Sequence, residues 1–238
     1  MLKLMKLELK RQNLKPFLLA TIMITVGILM FGFFFALVAK VKPEEASANA
    51  MVLTYEYVLN MMHLVSLASF SIFSSVVFCK FIIEDYKDDS LYLMFLYPVK
   101  RAKIFISKLL ICAILTVICS FISQLLAYGI FIGTELFFPI MTSDSLKSIN
   151  TLDIILQLVS VSLQSLIVGI LATKLGFIKR SIPTTIITSV LVSVILCNLF
   201  TISNMSFVWL VIVLLFIISI IVVVNLNQNI KTMQLEGE

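Results

Sequence analysis

Hydrophobic residues in this chain come in long unbroken runs and do not alternate with polar ones. Phe17–Ala39, Tyr57–Cys79, Leu109–Gly133, Ile154–Thr173, Pro183–Phe200 and Phe207–Val224 hold apolar or neutral side chains, and no charge interrupts any of them. A helix needs about 20 such residues to cross the hydrocarbon of a bilayer, and backbone in that medium must satisfy its own hydrogen bonds. The runs therefore predict six transmembrane helices in an all-α polytopic membrane protein. Barrel strands would alternate apolar and polar residues.

The polar interruptions carry their own patterns. Between the second and third runs lies Glu84–Lys108, EDYKDDSLYLMFLYPVKRAKIFISK. Within it Leu91, Met94, Phe95 and Pro98 fall at i, i+3, i+4 and i+7, which predicts an apolar stripe on a short surface helix within 84–103. In Met1–Lys15, Lys3, Lys6 and Lys10 form one ridge, with Leu2, Met5 and Leu9 on one side and Leu4, Leu7 and Leu14 on the other. That segment reads as a helix lying in the headgroup layer or as a basic flank to the first span. Neither a repeat of fixed period nor a second domain is visible, so 1–238 reads as one transmembrane domain.

Composition agrees. Of 238 residues, 61% are hydrophobic and 13% charged, and the mean hydropathy is +1.11. A soluble fold of this size has no way to hide so much apolar surface. The net charge of +5 does not point to nucleic acid, because the basic residues sit beside apolar runs and form no open patch. With six spans both termini share one side. That side holds Lys3, Lys6, Lys10, Arg11, Lys15, Lys80, Lys87, Lys100, Arg101, Lys103, Lys108, Lys174, Lys179, Arg180 and Lys231, and the other only Lys40, Lys42 and Lys147. The asymmetry predicts that both termini are cytoplasmic. The first run is longer than the roughly 7–15 residues of a signal-peptide core, so it reads as a retained span. Cys79, Cys112, Cys119 and Cys197 all lie in or at the end of apolar runs and predict buried thiols without a disulfide framework.

Catalytic chemistry is missing from the pattern. His63 is the one histidine, so a two-histidine metal motif is impossible. No GxxxxGK[ST] loop exists among the seven glycines, so the chain is expected to hydrolyse no ATP and to bind no cofactor or metal. The polar residues inside the runs are neutral: Asn60, His63, Gln124, Gln157, Gln164 and Asn198. His63, Gln157, Gln164 and Gly169 are candidates to line a pathway or to hold helices together. Ser165, Gly169 and Thr173, at i, i+4 and i+8, predict close approach of another helix, and Ser66, Ser69, Ser71, Ser74 and Ser75 give the second run a polar face. Tyr55, Tyr57, Phe137, Phe138 and Trp209 read as an aromatic belt.

Six spans, a basic amphipathic N-terminus and a charged insert after the second span resemble the type 2 ABC transporter permeases. The insert carries the likeness through Glu84 and Asp85, Asp88-Asp89-Ser90, Leu91-Tyr92-Leu93, Pro98, Lys100-Arg101 and Ile104-x-x-x-Lys108. Asp89-Ser90 stands where many members have Gly-Thr. The link Thr201–Ser206 is too short for the re-entrant helices of larger members, so the chain is more similar to small Gram-positive permeases that export peptides or confer immunity to them. The resemblance implies that 84–103 is a coupling helix, with Glu84, Asp85, Asp89, Leu91, Met94, Phe95, Pro98, Lys100 and Arg101 docking on a separate ABC ATPase that binds ATP and Mg. It also implies a second permease copy, identical or a sister chain, and an amphipathic peptide cargo. A stand-alone immunity or sequestering protein and an ion-coupled carrier are the alternatives the sequence leaves open.

Overall fold

The computed structural model describes residues 12–41, 55–84, 101–137, 151–179, 181–202 and 205–232, with Met5, Glu8 and Leu9 ahead of them. Long helices account for almost all of these: α1 (Lys15–Val41), α2 (Tyr55–Phe78), α3 (Arg101–Phe137), α4 (Thr151–Lys179), α5 (Ile182–Ile202) and α6 (Met205–Thr232). All six are long and apolar enough to cross a membrane, and the chain is an all-α polytopic membrane protein. Asn13 caps α1 by accepting the Lys15 N–H at 3.2 Å, the usual side-chain relief for an unpaired first-turn amide. Pro16 follows in the first turn, where its missing N–H costs nothing.

Side-chain contacts fix the direction of each helix. Phe17 of α1 meets Phe73 and Phe81, and Phe35 meets Tyr57, so α1 and α2 are antiparallel. Tyr128 of α3 donates to the Leu59 carbonyl at 3.4 Å, and the Cys112 thiol lies 4.0 Å from that of Val77, so α3 also opposes α2. Gly169 of α4 faces Ser74 and Phe78, and Gly176 faces Ile83, so α4 runs parallel to α2. Ser189 of α5 pairs with Ser75 at 2.9 Å, and Cys197 lies against the Leu64 carbonyl at 3.8 Å, which again gives an antiparallel pair.

α2 and α4 form the centre and pack on each other more extensively than any other two helices. In α2, 72% of the most apolar stretch is buried, and in α4 61%, against 33% or less for the other four. The outer helices turn rows such as Leu18, Leu19, Ile22 and Met23 of α1 and Ile217, Ile220 and Ile221 of α6 outward. Such apolar patches are absent from water-soluble monomers and natural against lipid. The core is built largely from aromatic residues, among them Phe17, Phe70, Phe73, Phe78, Phe81, Phe105 and Phe131.

Four expectations change. α2 does not stop near Cys79 but continues through a π-helical turn, Cys79–Ile83, because apolar Phe81, Ile82 and Ile83 are buried with the rest of the helix. α3 begins at Arg101, so Arg101 and Lys103 belong to the long helix and not to a separate insert. α5 reaches Ile202 and α6 starts at Met205, which shortens the expected link. Asn198 is exposed on α5 and satisfies its amide by donating to the Val194 carbonyl at 2.8 Å, so it is not a buried polar group.

Candidate functional site

The central seam between α2 and α4 is polar along most of its length. Buried polar residues of these two helices include His63, Ser66, Ser71 and Ser74 of α2 and Gln157, Ser160, Gln164, Ser165 and Thr173 of α4, and Asn60 beside them is half-buried. Two sequence features bring this about. The serines and threonines can return their hydroxyls to the preceding turn, as Ser66 does to Met62 (2.6 Å), Ser160 to Gln157 (2.8 Å) and Thr173 to Gly169 (2.6 Å), so a hydroxyl survives in an apolar surrounding. The glycines then let the helices close. A Cβ on Gly169 would strike the Ser74 hydroxyl and the Phe78 ring, and one on Gly176 would strike Thr185 and Ile83. The small residues predicted on α4 thus do admit a neighbour, and the neighbour is α2.

The structure places Gln157 and Gly169 of α4 against α2 and His63 of α2 against α5. The Gln157 amide donates to Asn60 Oδ1 at 3.0 Å. His63, one turn further along α2, is fully buried, and its ring stacks on Phe200 of α5 with centroids 4.1 Å apart and planes at 26°. Gln164 is buried two turns below Gln157 on α4. Neither nitrogen of His63 has a hydrogen-bond partner among the described residues, nor has either amide atom of Gln124, and Gln157 Oε1 and Gln164 Oε1 also lack one. An unpaired buried amide or imidazole costs about 1–3 kcal/mol, so this number of them is expensive for a packing device alone.

Charged groups flank the seam at both ends of α3. Lys108 is 1% exposed, and its Nζ lies 3.9 Å from Glu8 Oε1. At the other end Glu135, also 1% exposed, accepts from the Tyr55 hydroxyl at 3.0 Å. The 27 residues between Lys108 and Glu135 correspond to about 40 Å of helix, the thickness of a bilayer with its headgroups. Sequence reasoning placed Lys108 among flanking cations and passed over Glu8 and Glu135. Tyr55 is 3% exposed and is therefore no belt residue, because its hydroxyl is held inside the bundle by Glu135. Trp209 is half-buried and packs on the cluster around Ile167, Val208 and Ile212. Phe137 is 83% exposed, as a belt residue would be, and Phe138 lies outside the described residues.

Between α1 and α2 an apolar groove of about 420 Å³ is lined by Pro16, Phe17, Ala20, Ile24, Ser69, Ile72, Phe73 and Val76. It lies where α1 begins, between that outer helix and central α2.

Of the expected coupling residues, Glu84 ends the π-helical turn and pairs with Lys80 at 2.6 Å, both about half exposed. Arg101 opens α3. Asp85, Asp89, Leu91, Met94, Phe95, Pro98 and Lys100 lie outside the described residues. Among the described residues no group of three or more His, Cys, Asp or Glu could hold a metal ion.

Comparison with known proteins adds little to this geometry. No family model matches the chain. A relative in Bacillus subtilis (strain 168), the uncharacterized protein YcbO, is 31% identical over 130 residues, which are 52% of this chain and 54% of YcbO. The chain thus spans about half the length of that curated relative. No solved structure matches.

Proposed function

We propose that this chain is the permease subunit of an ATP-driven ABC exporter, that residues 84–103 grip a separate ATPase, and that the cargo is an amphipathic or hydrophobic peptide. The observation that supports the reading is that α2 and α3, which flank residues 84–103, are both longer than the hydrocarbon requires. α3 has 37 residues, about 55 Å of helix, against roughly 30 Å of hydrocarbon. α2 with its π-helical turn continues to Ile83, fully packed to its end. The sequence between them bears the Leu91, Met94, Phe95 and Pro98 stripe. Such a stripe, on the helix its spacing predicts, suits a groove in a partner. Force applied to it would pass along α2 into the polar seam. Basic residues concentrate on the same side, which supports a cytoplasmic position. A neutral lining of serine, glutamine and histidine suits a lipid-partitioned peptide better than an ion, since a permeating ion needs compensating charge or a dense carbonyl ring.

Purification in mild detergent after co-expression with an ABC ATPase encoded beside the chain's own gene tests the docking. The ATPase co-elutes with the wild-type chain, and Phe95→Glu or Arg101→Glu abolishes co-elution while the chain still inserts and remains monodisperse. Undiminished co-elution in both variants would overturn the docking.

A further inference from the structure

His63 and Gln124 approach one level of the bundle from different helices. Tyr128 of α3 reaches the Leu59 carbonyl of α2. Gln124 lies one turn back along α3, and because α3 opposes α2 it falls at the next turn of α2, where His63 stands. Asn60, one turn before His63 on α2, holds Gln157 of α4 by a 3.0 Å bond. α2, α3 and α4 all pack on one another, and His63 and Gln124 are both 0% exposed. Together they offer unpaired donors and acceptors: both His63 nitrogens, both Gln124 amide atoms and Gln157 Oε1. Phe200 closes this level, with its ring laid on that of His63 at the end of α5, two residues before that helix stops. Phe200 is itself only half-buried.

We propose that His63, Gln124 and Gln157 form a closed binding site for a peptide group, with Phe200 as its lid. The chemistry selects the ligand. An ion would find no countercharge among these groups, and a hydrocarbon would leave every one of them unpaired. A trans peptide group presents its N–H and C=O on opposite sides, and side chains from facing helices that both donate and accept meet both. The lid is a single ring contact, worth about 0.5–1.5 kcal/mol beyond the area it covers, so displacement of the end of α5 suffices to open the site. The inference rests on the peptide-cargo part of the proposed function and not on ATPase docking, so it is tested on the chain alone.

His63 is the sole histidine, and acylation of its ring by diethyl pyrocarbonate therefore reports on one side chain. The purified full chain in nanodiscs, without ATPase or nucleotide, is treated with the reagent in the presence and absence of the probe acetyl-Leu-Phe-amide. Phe200→Ala raises the acylation rate about tenfold, the loss of one stacked ring, and Phe200→Leu, which keeps apolar bulk in the bundle, raises it less. The probe slows acylation of Phe200→Leu about threefold or more, the effect of one hydrogen bond, whereas the analogue in which all three amides are replaced by esters does not. Gln124→Leu in that background removes the protection. Rates identical to wild type in both Phe200 variants would overturn the lid, and equal protection by amide and ester would overturn the peptide-group site.

Discussion

Lys108 shows how a residue's role depends on what reaches it. In sequence it is one more cation flanking a span. In the fold it is 1% exposed with Glu8 Oε1 3.9 Å away. A buried charge that loses its partner typically destabilises by about 3–5 kcal/mol, while replacing both partners with apolar groups is often neutral. Glu8→Gln and Lys108→Met are therefore each expected to lower the thermal unfolding temperature in detergent, and the double variant to recover most of the loss. At the other end of α3 the bond from Tyr55 to Glu135, 3.0 Å long and buried, is predicted to be worth about 1.5–3 kcal/mol as a hydrogen bond to an acidic group. Tyr55→Phe, which keeps the ring, measures it in the same assay. Neither pairing was legible in the sequence, because the partners are far apart along the chain and each lies next to a span boundary, where a charge or a tyrosine already has an ordinary explanation. His63 and Gln157 were legible as candidates, since polar residues inside apolar runs are conspicuous. That His63 stacks on Phe200 was not, because nothing in a phenylalanine at the end of an apolar run distinguishes it from its lipid-facing neighbours.

At the scale of elements, α2 and α4 show what the small residues are for. Ser165, Gly169 and Thr173 marked α4 as a helix that another approaches, but the partner emerges only in three dimensions, from the Ser74 hydroxyl and Phe78 ring that occupy the space of a Gly169 Cβ. Gly169→Ala is expected to destabilise the fold by about 1–3 kcal/mol through overpacking. Ser74→Gly in the same chain should restore part of this. Gly27 of α1 has nothing within 4 Å of its would-be Cβ, so Gly27→Ala leaves stability unchanged or raises it by up to about 1 kcal/mol through helix propensity. Equal losses in the two alanine variants would contradict the seam. The runs of apolar residues located all six helices, with ends up to eight positions short, since lipid imposes a single rule on backbone. They missed the continuation of α2 through Cys79–Ile83 and the start of α3 at Arg101, because Lys80 and the basic pair at the start of α3 broke an apolar pattern that the helices themselves do not respect.

For the whole molecule, the distribution of positive charge predicts which side the α2–α3 connection faces. A single cysteine in place of Lys100, in a chain whose four native cysteines are changed to serine or alanine, is expected to react with a membrane-impermeant maleimide in inside-out vesicles and not on intact cells. The structure has two central helices with buried polar residues, and α2 and α3 are both longer than the hydrocarbon requires. On the proposed reading an ATPase moves the connection between α2 and α3, and the central helices separate in response. The most direct measurement replaces Phe95 with a photoreactive benzoylphenylalanine in living cells and identifies by mass spectrometry what it captures. The account predicts a cross-link to an ABC ATPase subunit that disappears when Arg101 is changed to Glu. Cross-linking of Phe95 to lipid alone, with normal peptide export, would contradict it.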